Sequence, residues 1–61
     1  MNEVIIVRIS ENDEITYEIR NENNEYVADC GTLEEAVNTA MEFAEAHQIE
    51  HVKIQVETES V

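Results

Sequence analysis

The sequence predicts an α+β fold: a four-stranded mixed sheet in the chain order β-β-β-α-β, sheet order 3-2-1-4, with one helix packed on one face. Three observations predict it. Leu33, Ala36, Val37, Ala40, Ala44 and His47 recur at helical spacing, flanked by Met41 and Phe43. Ile15, Tyr17 and Ile19, and again Val52, Ile54 and Val56, alternate with polar residues at the period of a strand with one buried face. Residues 4–9 are β-branched and apolar at successive positions, which suits a central strand. Three antiparallel strands in a meander, followed by a helix crossing right-handed over one face, place the last strand parallel to the first, beside it or further along the sheet. Order 3-2-1-4 is the favoured arrangement.

Each element follows in turn. The first strand is Val4-Ile5-Ile6-Val7-Arg8-Ile9, and Asn12-Asp13 marks the turn after it. In the second strand Ile15, Tyr17 and Ile19 alternate with Glu14, Thr16, Glu18 and Arg20. Asn21-Glu22-Asn23-Asn24 is a polar loop. Residues 25–30 form a shorter third strand whose register stays open: Tyr26, Ala28 and Cys30 lie on one face, Val27 and Asp29 on the other. Gly31-Thr32-Leu33-Glu34-Glu35-Ala36 then opens the helix. Thr32 is a good N-cap, and Glu35 three residues later completes a capping box. The helix runs to about His47, and Ile49 is expected to anchor the loop beyond. Residues 52–57 form the fourth strand, and residues 59–61 are expected to fray. In this arrangement Ile5, Val7, Ile9, Ile15, Tyr17, Ile19, Val52, Ile54 and Val56 face the helix. Val4 and Ile6, with Val27 as a further candidate, are left on the open face. Apolar residues there either form a homodimer surface through Val4 and Ile6 or are tolerated as scattered surface hydrophobes.

Sixty-one residues bound the chain to one small domain, 1–61, with a small core. One cysteine cannot build a disulfide framework. Fifteen acidic residues stand against Arg8, Arg20 and Lys53, a formal charge of −12. Such a surface repels nucleic acid and anionic membranes and favours basic proteins or cations. No run of apolar residues approaches membrane-spanning length. The N-terminal stretch has Glu3 and no basic run before its apolar residues, unlike a signal peptide. With the lone cysteine, this leads to an expected cytoplasmic location.

Chemistry finds little support. Cys30 precedes the helix N-terminus, where a thiolate is favoured, but His47, the nearest base by type, lies at the far end of the helix. A small residue buried at a strand end is the simpler reading. His47 and His51 do not share a helix face, and a zinc site with Cys30 is disfavoured. His47 suits the negative end of the helix, and His51 reads as a solvated strand residue. Carboxylate pairs abound, but acid–base catalysis needs a pocket that separates their pKa values. The Asn21–Glu25 loop lacks the calcium-loop pattern, and there is no glycine-rich phosphate loop. The sequence is therefore read as non-enzymatic, with no catalytic residue, no metal and no cofactor.

The acidic surface remains. The helix back carries Glu34, Glu35, Asn38, Glu42 and Glu45, with no Lys or Arg in residues 33–47. Glu14 and Glu18 share the solvent face of the second strand. A net charge of magnitude about 2–8 suffices to keep a small domain dispersed, and like charges on one helix face cost stability. Residues two apart on a strand lie about 6–7 Å from each other, and i, i+3 and i+4 helix neighbours lie about 5–6 Å apart at Cβ. Both spacings are of the order of neighbouring phosphates in a nucleic acid. A rigid body carrying carboxylates at such spacing can compete for a cleft built for DNA. The expected partner-binding residues are Glu14 and Glu18 on the sheet, or Glu34, Glu35, Glu42 and Glu45 on the helix.

Residues 31–36, followed by Ala40 and Ala44, resemble the strand–helix junction of the HicB-type antitoxin domain, which has three strands, a helix and a further strand. A Thr-Leu-acid-Glu-Ala helix start followed by an alternating strand is also similar to that of the small host-takeover proteins by which phages such as T7 block bacterial RNA polymerase. Either resemblance covers residues 25–57. In size, charge and lack of catalytic groups the chain looks most like acidic phage inhibitors that act as DNA mimics. That resemblance implies a basic DNA-binding host protein as partner: first a HU-type nucleoid protein, then RNA polymerase or a defence nuclease. The antitoxin resemblance implies instead a small basic toxin.

Overall fold

The computed structural model describes residues 2–48 and 52–60. Its elements are β1 (Asn2–Glu11), β2 (Glu14–Asn21), β3 (Tyr26–Cys30), α1 (Leu33–Ala46) and β4 (Val52–Ser60). The sheet order is β3-β2-β1-β4, with β2 antiparallel to β1 and β3, and β4 parallel to β1. This is the expected α+β arrangement. Strand β4 extends through Ser60, paired with Ser10, where fraying was expected from residue 59. The expectations for Ile49 and His51 lie outside the described residues.

The β1–β2 turn sets the register. Asn12 and Asp13 both take positive φ, 50° and 65°, as a two-residue type I′ turn requires. Such a turn pairs Glu11 with Glu14, and the ladder then runs Ile9–Thr16, Val7–Glu18 and Ile6–Ile19. Partners across a ladder share a face. Even-numbered residues of β1 therefore lie on the side of Ile15, Tyr17 and Ile19. Parallel pairing puts Ile54 opposite Val4 and Val56 opposite Ile6 on that same side.

This corrects the expected phase of β1. Val4 and Ile6 are fully buried beneath the helix with Ile19, Ala36 and Ala40, and Ile5, Val7 and Ile9 lie on the open face. A homodimer surface through Val4 and Ile6 is thereby excluded, because neither has surface to offer. The expected facing of Ile15, Tyr17, Ile19, Ile54 and Val56 is correct. Val27 is no open-face residue either. The β2–β3 ladder shifts by one residue between Ile19 and Arg20, and the extra residue, Val27, packs against the core with Ala28 and Cys30. Tyr26, paired with Arg20, moves to the open face instead.

Asn21 organises the connection that makes this bulge. Its Oδ1 accepts from the Asn23 and Glu25 amides at 2.9 and 3.0 Å, and Asn24 takes the left-handed φ of 63°. The helix starts as its sequence dictates: Thr32 is extended, φ −132° and ψ 156°, and its Oγ1 accepts from the Glu35 amide at 3.2 Å. Ala36, Ala40 and Ala44 form its buried stripe. Phe43 and Val37 pack beside it, and the His47 ring stacks at a tilt on Phe43, centroids 4.4 Å apart. Gln48, at φ 53°, closes the helix by donating to the Glu45 carbonyl at 3.0 Å.

A 14-residue helix is about 21 Å long at ~1.5 Å per residue. Strand β1, with ten residues, is about 33 Å long. The helix therefore cannot cover the whole sheet, and apolar residues on its side stay partly open: Ile15, Ile54 and Val56 are 41%, 38% and 50% exposed.

Candidate partner-binding surfaces

The open face of the sheet is apolar in the middle and charged at the flanks. Ile5, Val7 and Ile9 form the central stripe. Thr16, Glu18 and Arg20 of β2 lie on one side of it, and Gln55, Glu57 and Glu59 of β4 on the other. Val7 is only 3% exposed although the helix is on the opposite side. Arg20 spans this face. Its guanidinium donates from Nε to Glu18 Oε1 at 3.3 Å and from Nη1 to Asn24 Oδ1 at 3.3 Å, and Nη2 stands 3.8 Å from Glu59 Oε2. Glu59 is on β4 and Arg20 on β2, so the side chain crosses β1 to reach it. Arg20 is level with Ile5 and Glu59 with Ile9, so the crossing passes over Val7, with the aliphatic stem toward the stripe and the charged head meeting carboxylates of β2 and β4.

Two further acidic groupings share this face. Glu11 and Glu14 pair directly across the ladder beside Asp13, so three carboxylates crowd the hairpin tip. Tyr26 and Asp29 stand near Glu18 on the β3 side. Partial desolvation, then the charge of Asp29, and then the charge of Glu18, push the Tyr26 phenol above its ordinary 10.0.

The back of α1 is different in kind. Glu34, Glu35, Glu42 and Glu45 are all exposed. At 100° per residue they fall within an arc of about 100°, and from Glu34 to Glu45 they span about 16 Å along the axis. Among the described residues, none of the four is ion-paired. Glu34 and Glu35 also sit in the first turn, where the helix dipole favours negative charge.

The structure thus sorts the predicted contact residues into two groups. The four helix glutamates share one unpaired face, as two pairs about 10 Å apart along the axis. Glu14 and Glu18 share a sheet face but are about 13 Å apart along the strand; Glu18 is half-buried and held by Arg20, while Glu14 belongs to the hairpin tip. The sequence reading overlooked Glu11, Asp13, Asp29, Glu57 and Glu59 as members of these surfaces. The ladder register implied by the two-residue Asn12-Asp13 turn would have placed Glu11 beside Glu14.

The remaining candidates for chemistry lie apart. Cys30 ends β3 half-buried, its Sγ 3.5 Å from Thr39 Oγ1 of α1, and so ties strand to helix. Among the described residues no three His, Cys, Asp or Glu side chains are grouped to hold a metal ion. No helix among them is long and apolar enough to cross a membrane. Comparison of the chain with protein-family models, curated proteins and solved structures finds no match.

Proposed function

We propose that this protein is a non-enzymatic acidic inhibitor that acts in the cytoplasm as a DNA mimic, occupying the basic DNA-binding surface of a host protein. One observation carries the reading: the exposed strip of Glu34, Glu35, Glu42 and Glu45, unpaired over about 16 Å of rigid helix. Carboxylates that served only to keep the chain dispersed would need neither a shared face nor freedom from cations. The sheet face is the weaker candidate, because Arg20 already engages Glu18 and approaches Glu59. A HU-type nucleoid protein is the first target, since such proteins grip DNA by charge and deformability with little base readout. RNA polymerase or a defence nuclease comes next.

The test is a gel-shift competition in which the protein displaces DNA from HU, with RNA polymerase–DNA as comparator. Displacement should weaken steeply as salt rises, because counterions return to both surfaces. Glu42→Lys with Glu45→Lys should abolish it, while Glu14→Lys with Glu18→Lys should leave most of it. If neither complex is disturbed at low salt by a large excess of protein, both targets fail.

A second reading has one observation in its favour. The β-β-β-α-β order is the one the antitoxin resemblance implies. On that reading the same acidic strip neutralises a small basic toxin, and a basic toxin encoded beside this gene would decide for it.

A further inference from the structure

The two edges of the sheet are built differently. Strand β3 is short, five residues, and carries the Val27 bulge, both of which blunt an edge against further pairing. Strand β4 has neither protection. It is nine residues long and pairs with β1 without a break from Val52 to Ser60. It contains no proline, since the chain has none. Its outer row of backbone N–H and C=O groups is a template for another strand. The same edge is sticky on the helix side, where Ile54 and Val56 are 38% and 50% exposed. Met41 of α1 is 58% exposed. With Val37 it lies on the helix flank away from Thr39, which contacts β3, and so on the flank toward β4.

We propose that β4 pairs antiparallel with β4 of a second copy of this chain, about a two-fold axis through Gln55. The side-chain pattern selects this register. With Gln55 opposite its own copy, Lys53 faces Glu57 of the second copy and Glu57 faces Lys53, on the open side of the sheet. Ile54 meets Val56 twice on the helix side. Centring the axis on Glu57 would put like charges in contact. Centring it on Ile54 would leave Lys53 opposite Gln55 and forfeit both ion pairs, and centring it on Val56 would turn Lys53 to Glu59, which Arg20 already approaches, and replace the Ile54–Val56 contacts by Ile54–Thr58. Among the described residues Lys53 has no ion pair within its own chain. Glu57 is steadied by a 3.0 Å bond from Gln55 Nε2. A two-fold axis perpendicular to the sheet keeps both helices on one side, so Met41 of each copy borders the shared apolar groove. The charge of −12 per chain opposes association at low salt. At physiological salt the screening length is about 8 Å, longer than the ~5 Å between cross-strand partners. The ion pairs then persist while the wider repulsion fades.

The experiment is sedimentation equilibrium of the full chain in physiological salt, with circular dichroism as a check on folding. The wild type should show a concentration-dependent monomer–dimer equilibrium. Lys53→Glu and Glu57→Lys should each weaken the dimer on the order of tenfold or more, since each turns two attractive cross-strand pairs into repulsive ones. The double swap, Lys53→Glu with Glu57→Lys, should restore it. A wild type that is monomeric throughout the micromolar range overturns the proposal. So does a dimer that ignores the single swaps, or single swaps that the double swap fails to rescue.

Discussion

Each face of β1 buries a valine, and the two valines are differently roofed. Val4 and Ile6 lie under a helix whose alanines let it come close, and both are fully buried. Val7, on the opposite face, is 3% exposed with no second layer above it. One arginine and its carboxylate partners close that side. Burial alone therefore does not locate the core. A rigid roof loses contacts outright when a methyl group beneath it is removed. A long, solvated side chain can settle into the space.

The largest expected effect tests this difference with one side chain at two sites. Val4→Ala should cost about 2–3 kcal/mol, because the helix and sheet relax only in part around the gap. Val7→Ala should cost about 1 kcal/mol, since Arg20 can follow the smaller surface. Urea denaturation of the two variants measures both. Equal losses would mean that the arginine roof is as rigid as the helical one.

This pair of faces also marks what could be read in the sequence. Strands β2 and β4 alternate cleanly, so their buried sides were legible. In β1 every residue from 4 to 9 is apolar except Arg8. Arg8, as the single polar marker, suggests that the even positions meet water. It instead pairs with Tyr17 and Thr58 on the helix side, half-buried, further along the strand than Val4 and Ile6. Only the ladder set by the Asn12-Asp13 turn carries the phase, as a register fact and not a pattern of hydrophobicity. The Val27 bulge left no such trace. The helix glutamates were legible because a 3.6-residue period fixes a face without reference to any partner. The carboxylates of the open sheet needed three strands in register before they could be grouped.

A smaller effect should come from removing the arginine roof itself. Arg20→Ala takes away both the ion pairs and the aliphatic cover of Val7, and should cost about 1 kcal/mol; part-exposed ion pairs supply only a fraction of that. Arg20→Met keeps the cover without the charge and should recover most of the loss. In a Val7→Ala background the cost of Arg20→Ala should shrink, because the two side chains share one contact. Additive losses in that double-mutant cycle would show that Arg20 acts elsewhere.

The smallest effect is read by pH at the β3 end of the open face, where charge is not roofed at all. Tyr26 is 62% exposed and stands beside Asp29 and Glu18. Partial desolvation, then Asp29, then Glu18, hold its proton more tightly than in the unfolded chain and raise its pKa above 10.0. The sign follows from linkage. The folded state binds this proton more strongly, so its contribution to stability is complete below the unfolded phenol pKa. It is lost as pH rises through the raised folded value. In a Tyr17→Phe background, phenolate absorbance reports Tyr26 alone, and its midpoint should lie above 10.0. Asp29→Asn should move that midpoint down without returning it fully, because desolvation and Glu18 remain. A midpoint unmoved by Asp29→Asn would assign the shift to desolvation and Glu18, and the electrostatics of the open face would then owe nothing to Asp29 of β3.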